Sequence, residues 1–242
     1  MRWRRYVGID YSGAGKPTQR LPGLQLYADG ERVAPEGGGN WSRAALAERL
    51  VAWLGEGEPM IIGIDHALGF PESYLERHRL ADWPAFLEQF VRHWPTDREP
   101  VAEVRRRVAS PKSELRLTDR FTTGAKSVFQ FDVQGSVATS THAGLPWIGR
   151  LRAAAGSRLH CWPFDGWQPQ PGVSLLAEVF PSLLRQRYPR DDRTVDQQDA
   201  YAVSRWLGEM ERRGELDRFL EPPLDRRERA QARREGWILG VT

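Results

Sequence analysis

Four acidic residues stand where the chain could do chemistry. Asp10 closes the run Tyr6-Val7-Gly8-Ile9-Asp10, and Asp65 closes Ile61-Ile62-Gly63-Ile64-Asp65. Both end apolar strand-like segments, with a glycine a few residues on. An acid placed there stands at the end of a sheet, where α/β proteins build their sites. Either alone could cap a turn; the matched surroundings of the two favour a shared function. Glu178 lies inside Val173-Ser174-Leu175-Leu176-Ala177-Glu178-Val179-Phe180. A lone carboxylate in such a strand needs a partner, a proton or a metal. Arg185 or Arg187 could supply a structural ion pair instead. Asp196 and Asp199 are three apart and share a helix face. The helix dipole alone accounts for Asp196 in the first turn. Asp199 is one turn deeper, on the side of Val203, and capping does not explain it. Glu48 reads as a surface residue but stays a candidate.

Asp10, Asp65, Glu178 and Asp199 are expected to converge. Clustered carboxylates repel one another unless a cation sits between them, and hard oxygen ligands suit Mg²⁺ or Mn²⁺. Two such ions about 3.5–4 Å apart can activate water and stabilise the leaving oxygen of a phosphodiester. The expected catalytic and metal-binding set is therefore Asp10, Asp65, Glu178 and Asp199, and the expected substrate is nucleic acid. Arg120 and Lys126, in the Thr-rich stretch 118–127, are the expected substrate-binding cations.

The elements that must position these acids follow from pattern. The segment ending at Asp10 is a first strand, and the alternating Gly23-Leu24-Gln25-Leu26-Tyr27-Ala28 is a second. Asp29-Gly30 signals a hairpin into a short third strand over 31–35. Asn40 or Ser42 caps a helix that presents Ala47, Leu50, Val51 and Leu54 on one face. The run ending at Asp65 is a fourth strand, buried on both faces. Residues 71–171 lack a clean period and read as an insertion, with helices near 84–93 and 99–108 and loops over 118–127. The strand bearing Glu178 comes next, then a short helix over 181–188. Thr194-Val195-Asp196-Gln197 matches a capping box and opens a helix with Val203, Trp206, Leu207 and Met210 as its apolar stripe. The predicted order is β-β-β-α-β, insertion, β-α, which makes a mixed sheet.

Composition sets outer bounds. The 242 residues suffice for one large domain with an insertion. Ten Trp and nine Phe can fill a sizeable core. No apolar run approaches the roughly 18 residues of a membrane span, and no signal-like segment is seen, so a cytoplasmic protein without a membrane partner is expected. The single cysteine, Cys161, excludes an intramolecular disulfide and any cysteine-rich zinc site. Flanked by His160 and Trp162, it reads as a packed thiol. The net charge of +3 is compatible with a nucleic-acid partner without demanding one. The turn Ser12-Gly13-Ala14-Gly15-Lys16 lacks P-loop spacing. His142 and His160 have no metal-ligand spacing.

Together, Tyr6-Val7-Gly8-Ile9-Asp10, Ile62-Gly63-Ile64-Asp65 with Leu68-Gly69-Phe70-Pro71, Ala177-Glu178-Val179-Phe180-Pro181, Asp196-Gln197-Gln198-Asp199-Ala200 and Glu235-Gly236-Trp237-Ile238-Leu239-Gly240 resemble the family called domain of unknown function 429, described as predicted RNase H-like nucleases. The resemblance spans nearly the whole chain. It implies an α/β, RNase H-like mixed sheet flanked by helices, in a single domain over 1–242. A large, mostly helical and loop insertion at about 72–171 would separate the fourth and fifth strands. It places Asp10 on the first strand, Asp65 on the fourth, Glu178 on the fifth and Asp199 on the last helix. His66 departs from the family pattern, which has a small residue there. Two rival readings remain. One is an ATP-handling protein of the actin-like or sugar-kinase type, for which 242 residues leave little room. The other is a non-catalytic nucleic-acid-binding module with a vestigial acid cluster.

Overall fold

The computed structural model describes residues 1–108, 113–133 and 136–242. Strands β1 (Arg5–Asp10), β2 (Gln25–Ala28) and β3 (Glu31–Arg32) form an antiparallel meander. Asp29 and Gly30 turn the hairpin with φ of 55° and 87°, the sign a type I′ turn requires at both positions. Helix α1 (Arg43–Gly55) starts at Ser42, whose hydroxyl accepts from the Ala45 N–H at 3.2 Å. It leads to β4 (Met60–Ile64), which returns parallel to β1 with Ile9 opposite Ile64.

Helices α2 (Glu72–Arg77), α3 (Trp83–His93), α4 (Val101–Arg105), α5 (Leu117–Phe121) and α6 (Ala138–Ala155) fill the following stretch. It ends in strand β5 (Leu159–Cys161). Strand β6 (Ser174–Val179) lies parallel between β4 and β5. Two 3₁₀ turns then lead to α7 (Val195–Arg212), α8 (Leu216–Leu220), α9 (Arg226–Glu235) and β7 (Ile238–Leu239). The seven-stranded mixed sheet runs β3-β2-β1-β4-β6-β5, and β7 pairs with the far end of β6.

Alternate residues of the central strands serve two cores. Val7, Ile9, Ile62, Ile64 and Leu176 face α1, α3 and α6. Ile61, Leu175, Ala177 and Val179 face α7, α8 and the C-terminal segment. Helix α7 lies unusually close to the sheet because Gly8 and Gly63 are register partners on β1 and β4. A Cβ on Gly8 would stand 2.1 Å from the Ala200 carbonyl oxygen. One on Gly63 would stand 2.6 Å from a Val203 methyl. This close seat brings Asp199, four residues before Val203, down onto the strand ends. Gly8→Ala is expected to cost about 3 kcal/mol, the upper end for overpacking, because a backbone carbonyl must move. Urea-unfolding midpoints with an unchanged slope would check it; a loss under about 0.5 kcal/mol would mean that α7 is not seated by this glycine.

Several sequence expectations need correction. The stretch 72–171 is not a pure insertion: Leu159–Cys161 is a strand of the main sheet, so Glu178 lies on the sixth strand rather than the fifth. Three residues are too short a run to show alternation. Asp199 is not on the last helix, since α8 and α9 follow α7. The third strand shrinks to Glu31–Arg32, and the 181–188 helix is two 3₁₀ turns, Pro181–Leu183 and Arg185–Arg187. The 18-residue α6 was not expected, because Gly144, Pro146 and Gly149 obscure its period. Part of the expected loop over 118–127 belongs to α5. Among the described residues, no helix is long and apolar enough to cross a membrane.

Candidate active site

Asp10 is the last residue of β1, and Asp65 directly follows β4. Parallel pairing sets them at the same level, and the Asp65 N–H donates to the Ile9 carbonyl at 2.9 Å. Their carboxyl groups hydrogen-bond to each other, which requires one of them to hold a proton. Burial is the largest force raising the pKa of each. The neighbouring charges of Asp65, Asp199 and Asp196 add to the rise for Asp10, and those of Asp199 and Glu178 for Asp65. Asp10 is nearly sealed at 9 % exposure, while Asp65 is part-exposed and lines a small cleft.

Helix α7 supplies the next acids. Thr194 and Gln197 form the expected capping box, with Gln197 N–H to Thr194 Oγ1 at 3.2 Å and Thr194 N–H to Gln197 Oε1 at 3.0 Å. The cap is therefore met without Asp196. That residue is half-buried and pushed above the ordinary aspartate range by burial and by Asp199. Asp199 is buried and held in a fork by Arg185, Nε to Oδ1 at 2.6 Å and NH2 to Oδ2 at 2.5 Å.

Glu178 is buried on β6 and answers its desolvation with an arginine, but not the ones the sequence offered. Arg187 pairs instead with Glu209 on α7. The partner is Arg116, just ahead of α5, which reaches Glu178 through NH1 at 2.6 Å and NH2 at 2.7 Å. The same guanidinium binds Asp119 through Nε at 3.2 Å and NH2 at 2.9 Å. Burial raises the Glu178 carboxyl and Arg116 pulls it back, with a net upward direction. Nothing in the sequence pointed to Arg116, which is 62 residues from Glu178 in the chain.

The cleft has a volume of about 30 Å³, enough for a water molecule or a small ion. Asp65, Arg116, Asp119, Lys126, Glu178 and Phe180 contribute to its lining. Lys126 is thus beside the acids. Arg120 is exposed on α5 and does not line the cleft. Glu48 is exposed on α1 in a separate groove with Arg20, Glu36 and Arg49.

The C-terminal segment closes this end of the sheet. Buried Glu235 accepts the N–H groups of Glu72 at 2.5 Å and Leu117 at 2.6 Å. The Thr118 hydroxyl accepts from the Ile238 N–H at 3.0 Å. His66 is fully buried with Nδ1 2.9 Å from the Ala67 carbonyl. Burial pushes its pKa down to about 4. Cys161 is likewise fully buried, its thiol pushed up to about 12 by burial, as a packed thiol should be.

Among the described residues, no three His, Cys, Asp or Glu side chains are arranged to hold a metal ion as they stand. The geometry gives the reason: Arg116 occupies Glu178 and Arg185 occupies Asp199. Asp10 and Asp65 are left as a proton-sharing pair whose hard oxygens fit one divalent cation. No family model matches the chain, and no curated protein or solved structure is detectably similar to it.

Proposed function

We propose that the protein is a divalent-metal-dependent nuclease on an RNase H-like sheet, with Asp10 and Asp65 at its centre. One observation carries the reading: two carboxyls from adjacent parallel strands meet at the sheet's end, raised in pKa and sharing a proton. Such a pair is costly to fold and is the kind of perturbed constellation that marks functional sites. The antiparallel β1–β3 meander, followed by parallel β4 and β6, supports the fold part of the proposal. So do the motifs shared with the domain of unknown function 429 family.

Asp10 and Asp65 would hold Mg²⁺ or Mn²⁺, which would polarise a phosphodiester and make a bound water acidic. The chain's own residues do the rest. Asp10 and Asp65 give up their shared proton when charge arrives. Asp199 stands ready beside them. Arg116 keeps Glu178 fixed, so that Glu178 adds negative potential rather than a free ligand. Lys126 places a cation at the cleft, where an anionic substrate would approach, and the net charge of +3 favours a polyanion.

The pairing of Glu178 and Asp199 with arginines also favours a second reading, a binding module whose acids no longer act. A panel of single- and double-stranded DNA and RNA, incubated with Mg²⁺, Mn²⁺ or chelator, separates the two. Cleavage that chelator and Asp65→Asn both abolish is expected. Metal binding without cleavage of any member would select the second reading.

A further inference from the structure

The two arginine–carboxylate pairs at the site differ in one respect. Arg116 is sealed, with 1 % of its side chain exposed. Arg185 holds a buried partner, Asp199 at 6 %, while its own side chain is 43 % exposed. The backbone around it is fixed. Gln198, buried on α7, donates Nε2 to the carbonyls of Arg185 at 3.1 Å and Tyr188 at 2.9 Å. Asp199 is fixed too, by the close seat of α7 on Gly8 and Gly63. The movable part is the Arg185 side chain, which has solvent to turn into. Its charge also acts on Asp10, Asp65 and Asp196.

We infer that Arg185 is a displaceable counter-ion that competes with a divalent cation for Asp199. The inference rests on the metal reading above and adds a device to it. In the metal-free protein the guanidinium fork uses both Asp199 oxygens and balances part of the acid charge. A divalent ion entering between Asp10 and Asp65 repels Arg185 and needs the oxygens that it covers. A part-exposed ion pair is weak, so the fork opens at little cost. A pair sealed like Arg116–Glu178 does not open in this way. Arg185 and the metal are thus mutually exclusive on Asp199, and each weakens the other by the same factor.

The test is a titration with Mn²⁺ alone, read from the paramagnetic resonance signal of free Mn²⁺. It compares the parent with Arg185→Gln, Asp199→Asn and the double variant. Arg185→Gln is expected to bind Mn²⁺ about tenfold more tightly, within the usual range of such couplings. The gain should vanish in the Asp199→Asn background, because it acts through that carboxylate. Arg185→Lys keeps the charge but loses the fork, so it should show a smaller gain; it decides the matter if the Gln variant is unstable. Equal or weaker binding by Arg185→Gln, or a gain that persists without Asp199, overturns the inference and leaves the metal reading standing. Absence of Mn²⁺ binding in the parent and in Arg185→Gln alike removes both.

Discussion

Asp10→Asn is expected to abolish activity and yet to melt higher than the parent protein in chelator. Asp10 is nearly buried and pushed above the ordinary aspartate range by that burial and by Asp65, Asp199 and Asp196. Its charge therefore works against the fold, a common trade at functional sites. An asparagine keeps the shape and can donate its amide to Asp65 without a shared proton. Divalent metal should reverse the ranking, since only the parent keeps both central ligands. Binding stabilises the folded state by about 2.7 kcal/mol at a hundredfold excess over Kd. Melting curves in chelator and in millimolar Mn²⁺ give all four values. A variant that melts lower in chelator, yet gains as much from Mn²⁺ as the parent, would make Asp10 a structural acid and remove the main support for the nuclease reading.

The same pair fixes a pH dependence. Asp10 and Asp65 both have folded-state pKa values above the unfolded value of 3.8. Between those limits the folded protein holds more protons than the unfolded chain, so stability falls as pH rises. In chelator the parent should lose stability steadily from the ordinary aspartate range up through neutrality. Asp10→Asn, which lacks half of the pair, should follow a flatter curve. The gap between the two proteins should therefore be small near pH 4 and widest above neutrality.

How much of this was legible in the sequence depended on the range of each interaction. The acids at the ends of β1 and β4 could be found because strand periodicity and the strand-end position are local signals. The hairpin at Asp29-Gly30 and the capping box at Thr194 are local too, and both form as expected. Asp199 was separable from Asp196 because its relation to Val203 is a helical one. Long-range pairing left no such trace. Arg116 meets Glu178 only because α5 is tied down by Glu235 and Thr118 near the other end of the chain. Strand β5 gains its place from the edge that β6 offers, not from its own three residues. The structure assigns Glu178 and Asp199 their arginines, and so changes which carboxylates are open to a cation.

Removing Arg116 is expected to be among the most destabilising single changes in the protein. Its guanidinium makes two bonds to Glu178 and two to Asp119, and Arg116, Asp119 and Glu178 are all buried. Arg116→Ala leaves two carboxylates in a dry site without a counter-charge. Breaking one side of a buried ion pair in this way costs about 3–5 kcal/mol. The sign with pH follows from Glu178, whose folded-state pKa already lies above its model value of 4.5. Without the arginine it rises further, so the variant's deficit should grow as pH climbs above the ordinary glutamate range and shrink below it, where the carboxyl binds a proton. The control is a triple change of Arg116, Asp119 and Glu178 to apolar residues of similar volume. Replacing a whole buried network in that manner is often neutral or stabilising, so the triple variant should recover most of the loss. Urea midpoints for the parent, the single and the triple variant at two pH values measure each step. A single variant that loses less than about 1 kcal/mol, the scale of an exposed pair, would mean that water reaches the network. Glu178 would then be as open to a cation as Asp199, and the sealed member of the two arginine pairs would no longer be sealed.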